Sequence, residues 1–279
     1  MNARSHLYVP ANDPERLARA IGRGADALIV DLEDGVSISD KDLARSNLKD
    51  WLGSLETNVE IWVRVNPEVG MLEKDLDVVA SPKVAGIVLA KSASPDDLLN
   101  LHEKLSALES ERHVGQAIEV SALIESAVGV FNSLAIARSP RVSRLQIGEF
   151  DLRADLGISA EAGDTTLQHA RSLAVFASAA AGINPPVASV STNFRDLDAY
   201  RLETQLFKNW GYFGRACIHP AQVQIVNEVF TPTQEELINA QDILDRLKAA
   251  GGGVALDSHG RMIDEASAKI ARRTLSIRK

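Results

Sequence analysis

The sequence predicts a (β/α)8 barrel, or TIM barrel, with a C-terminal helical extension. Two observations carry this prediction: short apolar segments alternate with longer segments of helical periodicity, and the chain has 279 residues. Strands that alternate with helices form βαβ units and a parallel sheet. Eight candidate strands favour a closed barrel, which typically takes about 250 residues. The alternative is an open doubly wound sheet, but the sequence lacks the glycine-rich phosphate turn expected after an early strand.

The predicted strands are short segments rich in apolar and β-branched residues. They are residues 6–10, 27–34, 60–66, 86–91, 120–126, 144–152, 186–190 and 215–220. Segments with the periodicity of an amphipathic helix lie between them. The clearest are residues 13–24, 40–53, 94–110, 129–138, 165–182 and 195–211.

Several of these helices begin and end with residues typical of helix termini. Asp13 precedes Pro14, which is typical of an N-cap followed by proline at the first helical position. Ser94 stands in the same place before the helix at residues 94–110. Gly182 and Gly211 are typical of the residue that follows a helix. These ends support the predicted alternation of helices with strands.

Residues 231–279 are predicted to extend a barrel domain formed by residues 1–230. A helix begins near Thr231 and runs to about Ala250, three glycines interrupt the chain at residues 251–253, and a short helix follows at residues 264–275. A barrel does not need this segment. We therefore expect an arm that packs on the barrel or on a neighbouring subunit.

Composition excludes several classes of function. The net charge is −8, which argues against nucleic acid as a partner, although a local basic cluster could still bind a small anion. No apolar run approaches the roughly 20 residues that span a membrane. The single cysteine, Cys217, excludes an internal disulfide and a thiolate metal cluster. The first ten residues lack the apolar segment of a signal peptide, so we expect a cytoplasmic protein.

Charged residues gather at the C-terminal ends of the predicted strands, where barrels of this class carry their active sites. They are Asp31 and Glu33 after the second strand, Arg64 in the third, Lys91 in the fourth, Glu125 in the fifth, and Glu149 and Asp151 in the sixth. Alternation along a strand places Asp31 with Glu33, Arg64 with Asn66, and Glu149 with Asp151 on common faces. Such charges are costly to bury unless they pair or bind a cation.

Glu125 and Asp151 come from neighbouring strands and can converge. Two carboxylates with water suit Mg²⁺, and no set of histidines and cysteines competes for a softer metal. The alternative is that these acids cap the following helices or pair with Arg64 and Lys91. The residues alone leave both interpretations open.

Six motifs recur in order along the chain and together resemble a known family. They are RSHLYVP at residues 4–10, IVDLEDGV at 29–36, VRVN at 63–66, ALIES at 122–126, IGEFDL at 147–152 with DLG at 155–157, and CIHPAQ at 217–222. With these motifs the chain resembles the citrate lyase β-subunit-like (CoA-ester lyase) branch of the HpcH/HpaI aldolase family. Two departures are Ala90, where the family usually has proline, and an insertion at Ser258 and His259.

The resemblance implies a TIM barrel, bound Mg²⁺ and a homotrimer or hexamer. It implies that Glu125 and Asp151 bind the metal, with Glu125 also next to the substrate. It implies that Arg64 holds the substrate carboxylate and the developing oxyanion. Asp264, in the segment GRMID, would be supplied over the site by a neighbouring subunit as the group that transfers a proton. Glu33, with Asp34 and Lys91, would orient Arg64 and metal-bound water.

The implied reaction is a reversible retro-Claisen cleavage of a β-hydroxyacyl-CoA to a 2-oxo acid and acetyl- or acyl-CoA. Malyl-CoA, citramalyl-CoA and citryl-CoA are all possible substrates, and thioester hydrolysis could accompany the cleavage. Three alternatives remain open. They are a lyase subunit of a citrate lyase complex that uses an acyl-carrier-protein thioester, a catalytically idle thioester-binding protein, and an aldolase for free 2-oxo acids.

Three residues of the matching motifs are given no catalytic role. We interpret His219 as a structural histidine bonded to a neighbouring backbone group, since no acid–base partner can be named for it. Cys217 is interpreted as a core residue, because apolar surroundings raise the pKa of a thiol. Arg4 lies at the end of the first strand that is remote from barrel chemistry, and no role is assigned to it.

Overall fold

The computed structural model describes residues 3–159 and 165–277. Its main sheet is parallel, with seven strands in the order β6-β5-β4-β3-β2-β1-β7. The strands are β1 Ser5–Pro10, β2 Ala27–Asp31, β3 Glu60–Val65, β4 Gly86–Leu89, β5 Glu119–Ile124, β6 Val142–Ile147 and β7 Arg215–Cys217. The predicted α/β class with a parallel sheet is therefore confirmed.

Residues 187 and 188 connect the two outer strands of this sheet. Val187 forms a parallel bridge to Gln146 of β6, and Ala188 forms one to Arg215 of β7. The main-chain N–H of Ala216 also donates to the carbonyl of Ala188 at 3.0 Å. The strand predicted at residues 186–190 is therefore reduced to two bridges.

Helices follow the strands, as the alternating sequence pattern predicts. They are α1 Pro14–Ala20, α2 Lys41–Ser54, α3 Met71–Val79, α4 Pro95–Arg112, α5 Ala127–Ala137, α6 Glu149–Asp155, α7 Thr165–Ala181, α8 Leu197–Asn209 and α9 Pro220–Phe230. The carboxylate of Asp13 and the hydroxyl of Ser94 cap α1 and α4 as predicted. Gly182 and Gly211 follow α7 and α8 with φ of 72° and 99°, a conformation that glycine adopts without strain. Of these helices, α3, α6 and α9 are not among the segments predicted above.

Several predicted strands continue past the observed ends, and two of them were extended over acidic residues of the predicted site. Residues 144–152 were predicted as one strand, but β6 ends at Ile147 and α6 begins at Glu149. Two acidic residues in its first turn favour a helix there. The second strand ends at Asp31, because its carboxylate accepts the N–H groups of Glu33 and Gly35 and turns the chain. Asp31 and Glu33 therefore do not share a strand face, and neither do Glu149 and Asp151.

The barrel interior is filled by side chains from several strands. Ala27, Ile29, Trp62, Val88 and Leu123 form one buried cluster there. A Cβ atom at Gly86 would collide with the indole ring of Trp62, so this glycine makes room for the largest side chain of the cluster. The interior is thus a packed core with the functional groups above it.

The C-terminal residues form a second compact unit that begins at Glu228, whereas residues 3–227 form the first. Its elements are α10 Gln234–Ala249, the antiparallel strands β8 Ala255–Leu256 and β9 Met262–Ile263, and α11 Glu265–Ser276. Leu247, Ile263 and Ala268 form its buried core. In the described part of the chain, none of the helices is both long and apolar enough to span a membrane.

Candidate active site

A cavity of about 380 Å³ is lined by residues at the C-terminal ends of the strands. Its charged lining residues are Asp31, Asp34, Arg64, Glu125, Glu149 and Asp151. These residues come from β2, β3 and β5, from the turns that follow, and from α6. The predicted gathering of strand-end charges is therefore present in the fold.

Arg64 is held by two hydrogen bonds to Asp31 and by an ion pair with Glu33. Its Nε donates to Asp31 Oδ1 at 2.8 Å and its Nη2 to Asp31 Oδ2 at 2.6 Å, while Nη1 lies 3.1 Å from Glu33 Oε2. The guanidinium also lies 5.2 Å from the centre of the Tyr8 ring. Burial lowers the pKa of Arg64, but the hydrogen bond and charge of Asp31 outweigh it and raise the pKa overall. Arg64 is therefore a fixed, permanent cation in the cavity wall.

Glu33 lies behind Arg64 and links it to Lys91. Its Oε1 accepts from Lys91 Nζ at 2.6 Å, and its Oε2 accepts the N–H of Asp34 at 2.6 Å. The side chain is 2% exposed. With both oxygens occupied, Glu33 can act on a reaction in the cavity through Arg64 rather than by touching substrate.

Glu125 is a buried carboxylate with little compensation for its charge. One oxygen, Oε2, accepts the main-chain N–H of Lys91 at 2.7 Å, and Lys91 holds a left-handed backbone with φ of 51°. Burial raises the pKa of Glu125 to about 8, and the nearby charges of Asp151 and Glu33 add to the rise. A Cβ atom at Gly148 would collide with this carboxylate, so glycine is required beside it.

Asp151 is an exposed residue in the first turn of α6 and lines the same cavity as Glu125. Both acids therefore line one cavity, although Asp151 lies on a helix rather than on a strand. Glu149 does not act with Asp151, because Arg171 holds it with two hydrogen bonds of 2.7 and 2.6 Å.

The donor set of the cavity suits a hard cation, although it does not form a closed metal cage. Glu125 and Asp151 offer only oxygen ligands, which Mg²⁺ prefers, and Mg²⁺ usually keeps several waters. Among the residues that the structure describes, no group of three or more His, Cys, Asp or Glu side chains is arranged to hold a metal ion. Two carboxylates on one cavity wall therefore fit an ion that completes its coordination with water or substrate oxygens.

A second cleft of about 470 Å³ shares Tyr8, Pro10 and Ile218 with the first. Its other lining residues include Arg16, Arg19, Arg23 and His219. All three arginines are exposed. This basic cleft next to the cavity was not predicted, because in the helix predicted at residues 13–24 the arginines resemble an ordinary solvated helix face.

The remaining candidates are not among the residues that line the cavity. Asp264 belongs to the second unit, where its carboxylate caps α11 by accepting the N–H of Ser267 at 3.1 Å. His219 Nδ1 accepts the N–H of Ala221 at 3.1 Å, in keeping with the structural interpretation. Burial raises the pKa of Cys217 to about 12, as expected for a core thiol. Arg4 pairs with Asp26 at 2.6 Å, next to the start of β2.

Comparisons with known proteins agree with the resemblance. The family model described as HpcH/HpaI aldolase/citrate lyase matches residues 4–220. The chain is 31% identical to the citrate lyase subunit beta of Leuconostoc mesenteroides subsp. cremoris, over 98% of this chain and 92% of that protein. It is 32% identical to a (3S)-malyl-CoA thioesterase of Cereibacter sphaeroides, over 98% of this chain and 93% of that protein.

A solved structure with a similar fold carries ligands. The protein CitE from Mycobacterium tuberculosis, in complex with magnesium, acetoacetate and coenzyme A, superposes with a TM-score of 0.79. It is 27% identical, and the match covers 98% of this chain and 97% of that one.

Proposed function

Because the chain belongs to the HpcH/HpaI aldolase/citrate lyase family, we propose that it is a Mg²⁺-dependent carbon–carbon lyase acting on a β-hydroxyacyl-CoA. The substrate class is malyl-CoA, citramalyl-CoA or citryl-CoA, and the products are a 2-oxo acid and acetyl- or acyl-CoA. The observation that carries the proposal is the cavity in which the fixed guanidinium of Arg64 shares a wall with Glu125 and Asp151.

Glu125 and Asp151 would hold the Mg²⁺ ion. Burial has raised the pKa of Glu125 to about 8, so a cation at this place would favour its charged form. When bound there, Mg²⁺ would supply Lewis-acid polarisation of the substrate oxygens. CitE, the solved relative, binds magnesium together with acetoacetate and coenzyme A.

Arg64 would stabilise negative charge on the substrate. During cleavage the bond between C2 and C3 breaks and its electron pair moves to the thioester enolate, while the C3 hydroxyl gives its proton to water and its O–H electron pair forms the new C3=O bond. A guanidinium fixed by Asp31 and Glu33 stabilises such charge without reorganising during the reaction. This is the step for which Arg64 is best placed.

The basic cleft supports a ligand that carries phosphate groups, such as a CoA ester. CoA carries phosphates on its nucleotide part, and Arg16, Arg19 and Arg23 line a cleft that shares three residues with the cavity. The acyl-carrier alternative, supported by the similarity to a citrate lyase subunit beta, would present the thioester on a carrier protein instead of on free CoA.

Asp264 of a neighbouring subunit would carry the proton to C2 of the enolate, as the resemblance implies. A carboxyl group in this role needs a raised pKa, which burial between subunits could supply. Exposed apolar side chains support a homo-oligomer, trimeric or hexameric: Phe131 of α5 is 86% exposed and Phe176 of α7 is 69% exposed. Large aromatic side chains at the surface are typical of protein interfaces.

An activity panel tests the proposal. Purified protein is incubated with malyl-, citramalyl- and citryl-CoA, with and without Mg²⁺, and 2-oxo acid is measured as its phenylhydrazone. Mg²⁺-dependent release from at least one ester supports the lyase, and no release from any of them rules it out. Release of CoA thiol without a 2-oxo acid would instead indicate hydrolysis, the activity named for the thioesterase relative.

A further inference from the structure

Lys41, the first residue of α2, is a buried lysine with no part in the reaction proposed above. It is 7% exposed. Its Nζ donates to the carbonyls of Leu32 and Glu33, both at 2.7 Å, and to Asn66 Oδ1 at 2.8 Å. An ammonium group has three donors, so each of them has a partner. None of the three acceptors is a carboxylate.

A buried ammonium without a direct carboxylate partner is costly, so nearby charge must compensate for it. Burial lowers the pKa of Lys41, and the charges of Glu33, Asp31 and Asp75 act in the opposite direction. Two of these three acids are the ones that hold Arg64. The charge of Lys41 is therefore coupled to the acidic residues of the site.

Asn66 fixes the third acceptor of Lys41. Its Nδ2 donates to the carbonyl of Leu32 at 2.8 Å and to Asp75 Oδ2 at 2.7 Å, and its main-chain N–H donates to the same Asp75 oxygen. Asp75 is completely buried on α3 and also accepts from Arg45 Nε at 2.7 Å. With both donors of its amide engaged, Asn66 must present its oxygen to Lys41.

The segment fixed in this way carries the residues that hold Arg64. The main-chain carbonyls of Leu32 and Glu33 are bound by Lys41, whereas the side chain of Glu33 reaches Arg64 and Lys91. Asp31, the bidentate partner of Arg64, immediately precedes the segment. Movement of this main chain would move both carboxylates together.

We propose that Lys41 is a positioning residue: by binding the carbonyls of Leu32 and Glu33 it fixes the two carboxylates that aim Arg64 into the cavity. The inference rests on the proposed lyase function and adds to it a residue that does not line the cavity. Removal of an outer residue of this kind typically lowers activity about 10- to 100-fold.

A double-mutant cycle distinguishes positioning from general stabilisation. Lys41→Met should lower kcat about 10- to 100-fold and leave Mg²⁺ affinity, measured calorimetrically without substrate, within about twofold of wild type. In a Glu33→Gln background the same change should cost much less, because residues that act through a shared contact are not additive. Lys49→Met, an exposed lysine on the same helix, is the matched control and should leave kcat unchanged.

Three outcomes would overturn the inference. They are wild-type kcat in Lys41→Met, an equal fold-loss in both backgrounds, and a loss of Mg²⁺ affinity that accounts for the whole effect. Where Lys41→Met does not fold, Lys41→Gln retains two donors and is assayed in the same cycle against the same criteria. If the wild-type protein has no lyase activity, the proposed function and this inference are both wrong. If the wild type is active and Lys41→Met is equally active, only the inference is wrong.

Discussion

The two halves of the candidate site differ in how completely their charges are paired. Arg64 is held by Asp31 and Glu33 through hydrogen bonds of 2.6 to 2.8 Å and an ion pair of 3.1 Å. Glu125 has a single main-chain donor, and burial raises its pKa to about 8. One half is therefore assembled before a substrate arrives, whereas in the other the charge of Arg64 offsets only part of the cost of burying Glu125. This difference is what a site built to receive a divalent cation beside a fixed guanidinium requires.

The largest effect on activity is expected in the half of the site that contains Glu125 and Asp151. Glu125→Ala or Asp151→Ala should each reduce Mg²⁺-dependent cleavage at least about 10³-fold, because several kcal/mol of charge stabilisation are lost with the ion. The fold should survive, since neither side chain contributes to the apolar core. Cleavage rates across a Mg²⁺ titration, with circular dichroism as the fold control, measure this. Full activity in either variant would remove that acid from the metal site.

Mutation of the half that contains Arg64 should affect turnover but not Mg²⁺ binding. Arg64→Lys keeps the charge but cannot make the bidentate contact to Asp31, so kcat should fall about 10²- to 10³-fold. Mg²⁺ affinity should stay within about threefold of wild type, because the metal ligands are untouched. Turnover and calorimetry together test the separation of the two halves. A parallel loss of Mg²⁺ binding would mean that they act as one unit.

Much of this site could be predicted because strand-end charge is a local signal. Arg64, Glu125 and Asp31 stand at the ends of apolar segments, and parallel strands bring such ends to one rim. Asp151 was predicted at the correct end of the sheet but on the wrong element. The alternating pattern of residues 144–152 fits one long strand, and it fits equally well a shorter strand that is followed, after Gly148, by α6.

Other residues could not be found from the sequence. In the sequence, Lys41 on α2 resembles an ordinary lysine on the exposed face of a helix. In the structure its Nζ donates to Asn66, which lies 25 positions away along the chain. Asp75 contacts Arg45 across 30 positions. Such contacts join segments that are distant in the sequence, so no local pattern indicates them.

A smaller effect is expected from the C-terminal unit. Asp264→Asn should lower turnover about 10²-fold, the low end of general acid–base catalysis, and change Mg²⁺ affinity far less. In this variant the Arg64 half and the Glu125 half of the site are unchanged, and only proton transfer should be lost. The test compares kcat with Mg²⁺ affinity in the same preparation, and Asp257→Asn in the same unit tests whether disturbing the unit is enough. Unchanged turnover in Asp264→Asn would reassign this residue to capping α11.

The pH dependence of Mg²⁺ binding sharpens the contrast between the halves. Glu125 binds a proton below its pKa of about 8, and that proton competes with the cation. Mg²⁺ affinity should therefore rise about tenfold per pH unit as pH increases toward 8 and level off above it. Calorimetric titration between pH 6 and about pH 9 measures the slope. Glu125→Gln should abolish this slope, and a wild-type affinity that does not change with pH would contradict it.

The smallest effect lies outside both halves, in the basic cleft. Arg19→Ala removes one exposed charge, so KM for the CoA ester should rise about two- to fivefold with kcat unchanged. The rise should shrink as salt increases, because exposed charges are screened. Arg138→Ala, an exposed arginine at the end of α5, is the matched control. A pantetheine ester of the same acid has no nucleotide phosphates, so its KM should not respond to Arg19→Ala. An equal rise in KM for both esters would mean that Arg19 shapes the cavity rather than binding the nucleotide. If KM rises for neither ester, the nucleotide part of CoA binds somewhere other than this cleft.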